Sequence, residues 1–382
     1  MKRSPLRMFA AACIIAAGFC LVAGIYVVGL SDKDAAERDF IGYWAAGQQL
    51  IHGRDPYDVE ATLRLEQAAG LDDTRPRVTP SPPVALLPVL PLGLFGAKNG
   101  LIFWLLVQLA CLSISVWVLW ITNGRPSSRL HLFAYFFAPA LSCLMAGQLG
   151  IFLLLGIVLF LYLHESHPFL AGAALLPCAL KPHLLLPFAI VLLLWIVSRK
   201  AFGTIAGFLA LIAVNCAITL HFDPRIFAQY TQFIHASEIQ DRFTPTMSLT
   251  LRLLVPPHPV WLQFLPEAIA CVWAIWFYLA RRARWRWMDQ GMLLLVVSMV
   301  CAPYAWFPDE SIVLPAVLAG LYRAAESHRS LLPIGLIGGV ALIEVAMKVQ
   351  ITSNFFLWTA PAWLAWYLYA TWKAAPHSES TQ

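Results

Sequence analysis

The chain has 382 residues, of which 60% are hydrophobic and 12% charged, with a mean hydropathy of +0.70. A soluble globular chain carries about 25% charged residues, so an ordinary soluble domain is excluded and a polytopic membrane protein is implied. The net charge of +5 does not mark a nucleic-acid partner, because the Lys and Arg are dispersed among short polar breaks, the distribution that orients membrane segments.

The sequence "MKRSPLR" precedes an apolar run over residues 8–30. That run exceeds the roughly 7–15 apolar residues of a cleaved signal, so a retained first span is expected. Further apolar runs cover 99–121, 131–146, 149–163, 168–180, 184–197, 202–221, 261–280, 288–305, 309–322, 331–349 and 355–373. The expected fold class is therefore all-α, a polytopic helical bundle of about 12 transmembrane or partly inserted helices. Several runs between 131 and 197 fall below the roughly 20 residues of a simple crossing, which predicts broken or tilted helices there. Trp120, Trp195, Trp261, Trp285, Trp287, Trp306 and Trp372 fall near proposed span ends, where an interfacial belt is expected.

Charge gives the orientation. With the N-terminus inside, 14 of the 26 basic residues fall in predicted cytoplasmic loops or tails, and 15 of the 21 acids fall outside, ten of them between Asp32 and Asp73. One membrane domain over 1–376 is expected, with long extracytoplasmic loops at 31–98 and 221–260 and a short cytoplasmic tail at 377–382. The end of the first loop, "TPSPPVALLPVLPLGLFG", is apolar, but prolines oppose a straight helix, and an interfacial or re-entrant element is expected. The eight Cys lie in or beside apolar runs without a CxxC pair, which argues against a disulfide framework or a Cys-ligated metal. "DKD" at Asp32–Asp34 has the form of a metal-binding DxD, but an acidic exposed loop produces such triplets by chance.

In "ERDFIGYWAAGQQLIHGRDPYD" (residues 37–58), Phe40, Tyr43, Trp44, Gly47, Leu50 and Ile51 recur at helical spacing, with Gly53 and "DPYD" placed to end the helix. An interfacial amphipathic helix carrying Tyr43 and Trp44 on the outer membrane surface is expected. Asp39 stands at its start. From spacing alone it reads as an N-cap, worth roughly 0.5–2 kcal/mol, or as a carboxylate held at the membrane boundary for chemistry.

Four more polar residues fall at the outer face under this topology. Lys181, in "KPH" between two apolar runs, carries an ammonium that costs at least about 2.5 kcal/mol near a bilayer centre unless paired, snorkelled or hydrated; a lipid phosphate would suit it, and so would a snorkelling role. His183 follows it. Gln148 in "GQLG" could bond a sugar or satisfy a helix end. Asp309 could face substrate or cap the next helix. Glu344 and Lys348, at i and i+4, are expected to pair.

"RDFIGYWAAGQQLIHGRDPYD", "PSPPVALLPVLPLGLFG", "MAGQLGIFLLLGI" and "FLAGAALLPCALKPHLLLPFAI" together resemble glycosyltransferase family 87, with the clear likeness over about 38–200 and a weaker one at "APYAWFPDESIVLPAV". The resemblance implies a GT-C-type helical bundle in the cell membrane, with an extracytoplasmic active site. It implies transfer of a sugar, mannose, from a polyprenyl-phosphate donor to a glycolipid or glycan acceptor. By the same resemblance Asp39 matches the proposed catalytic base, while Lys181, His183, Gln148 and Asp309 are candidates for donor phosphate or sugar binding. No cofactor is implied, and a divalent-metal requirement stays open. The rival reading is a secondary transporter or lipid-linked-sugar flippase, which twelve helices alone would suggest. Against it, few ionisable groups lie near span midplanes, where transporters bind their substrates.

Overall fold

The structure, a computed structural model, describes residues 29–236 and 244–372. All but the last two residues of the expected first span lie outside the described residues, as do Glu238, Asp241, Arg242 and everything from 373 onward, tail included. Among the described residues every regular element is helical. The chain divides into two compact units, one of residues 1–79 and 89–105, the other of 80–88 and 106–382.

The first unit opens with α1 (Asp32–Ala36), capped reciprocally by Ser31 and Asp34. The "DKD" acids thus have structural work: Asp34 Oδ2 accepts from Ser31 N at 2.8 Å, and Asp32 Oδ1 accepts from Lys98 N at 2.7 Å. Next come α2 (Phe40–Ile51) and α3 (Val59–Ala68), the latter capped by Asp58, whose Oδ1 accepts from Ala61 N at 2.9 Å. The unit closes with the start of α4 (Ala97–Thr122), whose residues from Leu106 onward belong to the second unit.

Helix α2 departs from the expectation of a helix lying on a membrane surface. Its aromatic stripe is covered by protein. Tyr43 stacks on Trp104 with ring centroids 5.9 Å apart, and Trp44 Nε1 donates to Phe95 O at 2.8 Å. Phe40 is buried and Tyr43 and Trp44 nearly so. Ten of the twelve α2 residues are buried, so its apolar face is too wide for a surface helix and suits one enclosed within its unit.

The proline-rich segment forms 3-10 turns at Pro83–Ala85, in the second unit, and at Leu87–Leu94, whose residues from Val89 onward belong to the first, rather than an α-helix. Asn215, wholly buried in an apolar helix, donates to Val84 O and anchors the first of these turns. The helices that follow are α5 (Ala138–Ala146), α6 (Gly150–Leu163), α7 (Pro168–Ala174), α8 (Leu186–Arg199), α9 (Phe202–Phe222), α10 (Ile226–Ala236), α11 (Met247–Leu254), α12 (Trp261–Arg281), α13 (Met292–Cys301), α14 (Leu314–Glu326), α15 (Leu332–Ala346) and α16 (Thr359–Thr371).

Among the described residues only three stretches, Ala97–Thr122, Phe202–Phe222 and Trp261–Arg284, are long and apolar enough to cross a membrane as single helices. The other described apolar runs are cut short or divided. Pro139, Pro177, Pro182, Pro187 and Pro315 sit at the first turns of elements inside them, because proline starts a helix but cannot continue one. Three of the expected belt tryptophans also change role. Trp195, Trp285 and Trp287 are buried, and Phe160 and Phe188 pack on Trp287 at centroid distances of 5.1 and 4.9 Å. The expected Glu344–Lys348 geometry fails too. Helix α15 ends at Ala346, Lys348 takes a positive φ of 56°, and Glu344 Oε1 accepts from Trp358 Nε1.

Candidate active site

Two groups of polar residues stand out, one in each unit. In the second unit, sequence turns bring three of the four expected donor-binding residues together. Gly147, with φ 72°, ends α5 in the left-handed conformation that a side chain disfavours, and the chain reverses into Gln148. Gly150 begins α6 so close to the 307–313 segment that a Cβ would lie 2.6 Å from Pro308 O. The two glycines of "GQLG" therefore set Gln148 beside Asp309. Lys181 precedes Pro182, and its extended φ of −140° interrupts the 3-10 turns on either side.

Lys181 Nζ donates to Asp309 Oδ1 at 2.7 Å and lies 3.5 Å from Gln148 Oε1 and 5.6 Å from the centroid of the Trp306 ring. Asp309 Oδ2 accepts from Trp306 N at 3.1 Å, and Asp309 N donates to Trp306 O at 2.8 Å. Asp309 thus closes its own turn and also pairs with a cation. The pair is well enclosed, with side-chain exposures of 15% for Lys181 and 3% for Asp309. The main-chain oxygen of Gln148 is also engaged, accepting from Gln108 Nε2 of α4. His183 joins differently, its ring packing on Tyr304 with centroids 3.9 Å apart.

Sequence reasoning passed over Glu310 as a site residue. It is buried next to Asp309 and accepts from Thr359 Oγ1 at 2.6 Å and Trp363 Nε1 at 2.8 Å. The signal was available in "FPDES", two adjacent acids in a chain with few charges. Trp306, counted only toward an interfacial belt, packs its ring beside Lys181.

In the first unit Asp39 stands at the N-cap position of α2, yet its side chain makes no capping hydrogen bond. Its backbone, at φ −62° and ψ −21°, is already helical, whereas a capping residue is usually extended. Instead Asp39 Oδ1 lies 3.7 Å from Arg77 Nη1, with both side chains about one third exposed, at 30% and 32%. Arg77 is another residue that sequence reasoning missed; as one of seven Lys and Arg in the loop over 31–98, it carried no signal of its own. Tyr43 and Trp44 follow on the same helix as buried packing residues.

Among the described residues no group of three or more His, Cys, Asp or Glu side chains could hold a metal ion. Comparison with protein families gives a match to glycosyltransferase family 87 over residues 81–306. Neither the curated proteins nor the solved structures yield a match. The matched stretch runs well past residue 220, where the motif resemblance faded; it contains Gln148, Lys181 and His183, while Asp309 lies just past its end and Asp39 well before its start. Because it covers more than half of the chain, with the "GQLG" and "LKPH" turns inside it, the protein belongs to glycosyltransferase family 87 and is a membrane glycosyltransferase.

Proposed function

We propose that this glycosyltransferase is of the GT-C type and works on the extracytoplasmic face of the cell membrane, moving mannose from a polyprenyl phosphate to a hydroxyl of a glycolipid or glycan. In the reaction the acceptor oxygen bonds to the anomeric carbon and its proton passes to a base. The bond from the anomeric carbon to the phosphate oxygen breaks, and the polyprenyl phosphate leaves with both electrons. In-line displacement inverts the anomeric centre. The chemistry needs a base and a partner for the phosphate as its charge grows.

Asp39 is the proposed base. The observation that carries this role is the missing cap: a carboxylate at a helix start that forgoes a capping bond worth roughly 0.5–2 kcal/mol, and stays about one third exposed, is kept for another use. Lys181 is proposed to meet the donor phosphate. An ammonium carries three N–H bonds, and with Asp309 and Gln148 taking two, the third is left for an anionic oxygen. Gln148 and His183 are proposed to contact the sugar or phosphate, and Asp309 to hold Lys181. The family match weighs against the transporter reading.

General-base catalysis typically contributes 10²–10⁴-fold. Asp39→Asn should therefore lower transfer from mannosyl polyprenyl phosphate by at least about 100-fold while expression, thermal stability and donor affinity stay close to wild type. Asn caps helices as well as Asp, so near-normal turnover in the Asn variant would sink the base assignment.

A further inference from the structure

Arg77 lies outside the family-matched residues. Its backbone is held on both sides. Its N–H donates to the two oxygens of Glu66 at 3.1 and 3.0 Å, and Glu66 is wholly buried at the end of α3. Its carbonyl oxygen presses on the first turn of α2 so closely that a Cβ on Gly42 would lie 1.8 Å from it. Only glycine accepts that approach without a shift of the backbone. Beyond this anchored main chain, the guanidinium reaches the junction between α1 and α2, where Nη1 donates to Glu37 O at 2.7 Å and lies 3.7 Å from Asp39 Oδ1.

The Glu37–Gly42 stretch and Glu66 thus converge on Arg77, Glu66 and Gly42 at its main chain and Glu37 and Asp39 at its guanidinium. A partly exposed ion pair contributes about 0–1 kcal/mol to stability, which does not account for a buried carboxylate and an obligatory glycine both holding the backbone of one of its members. The arrangement does fix where a guanidinium sits relative to Asp39.

Resting on the reading of Asp39 as the base, we propose that Arg77 is a positioning residue for sugar transfer, its guanidinium holding the Asp39 carboxylate off its own helix while Glu66 and Gly42 hold Arg77. Arg77 makes no bond to the reacting atoms. It acts through Asp39, so its removal takes away one hold on the carboxylate and lowers the fraction of complexes in which the acceptor proton meets it. A misplacement on the order of 1 Å costs up to about 100-fold.

The test uses the full-length protein in liposomes, with tritiated mannosyl polyprenyl phosphate as donor and, as acceptor, envelope glycolipid extracted from a deletion strain. Arg77→Met should lower kcat about 10–100-fold with KM for the donor within about twofold of wild type. Arg77→Lys should recover part of the loss, since it returns the charge without the fork. In an Asp39→Asn background Arg77→Met should change the residual rate less than about twofold, as expected of two residues that act together.

Normal kcat in Arg77→Met would overturn the proposal. So would a raised donor KM at unchanged kcat, which would make Arg77 a phosphate ligand, or a full additional loss in the Asp39→Asn background. Both main-chain contacts survive these substitutions, so folding should persist; if Arg77→Met fails to accumulate, the partial rate and unchanged KM expected of Arg77→Lys decide. The two readings separate cleanly. An active Asp39→Asn variant removes the base assignment and Arg77's role with it, whereas an inactive Asp39→Asn beside a normal Arg77→Met removes the positioning role alone.

Discussion

The ion pair of the first unit and that of the second have the same chemistry and opposite construction. Asp39 and Arg77 stand 3.7 Å apart with about a third of each side chain exposed, whereas Lys181 and Asp309 meet at 2.7 Å with little of either exposed. Water weakens the first pair, in keeping with the proton-acceptor role proposed for Asp39. The second has given up its water and depends on its partner, since a lone buried charge is far costlier than a paired one. The two pairs thus differ in how much each depends on its partner: the exposed one little, the enclosed one strongly.

The sharpest way to break this contrast is to cut the tight pair. Lys181→Met should destabilise the protein by about 3–5 kcal/mol, because Asp309 is left buried and uncompensated. Lys181→Met combined with Asp309→Leu should recover much of that loss. Thermal unfolding in detergent reads both, and a single variant as stable as wild type would show that the pair is not structural. Donor binding must then be measured on Lys181→Arg, where the charge persists.

Overpacking the anchor of the loose pair should have a smaller effect. Gly42→Ala places a methyl against Arg77 O, and strain of this kind typically costs about 1–3 kcal/mol. A melting temperature unchanged from wild type would show that the Arg77 segment moves freely, which would weaken the case for a fixed guanidinium.

The smallest effect is a pH dependence. Burial pushes the Glu66 carboxyl up to about 7 from an ordinary 4.5, partly opposed by the Arg77 N–H and the Arg77 charge and assisted by nearby Asp73. The folded state then holds a proton that the unfolded state has lost, so the contribution to stability is full below about pH 4.5 and is lost as pH rises through about 7. Glu66→Gln, which stays neutral and can still accept from Arg77 N, should flatten the fall in melting temperature between pH 5 and 7.5. An unchanged slope would show that Glu66 does not titrate there.

Much of the broad picture was legible in the sequence, because it follows from composition and one-dimensional pattern. Low charge with long apolar runs implied a membrane chain, helical spacing located α2, and apolar runs located α4, α9 and α12 to within a few residues. "GQLG" and "KPH" announced turns, since glycine and proline limit backbone geometry whatever surrounds them. Where the reading failed, the cause was packing. The aromatic stripe of α2 carries the same residues whether it faces lipid or Trp104 and Phe95, and tryptophans at helix ends serve an interface or a core equally well.

By itself, then, the sequence determined that the protein is helical and membrane-bound, and it singled out Asp39 and the residues that came to surround Lys181, because solvation and backbone preference act residue by residue. Only the tertiary structure decided which charges meet. That Lys181 lies against Asp309, 128 positions away, and that Arg77 rather than a helix end engages Asp39, depends on close approach of distant segments at Gly150 and Gly42. Coulomb attraction falls with distance and with hydration, and neither can be read along a chain.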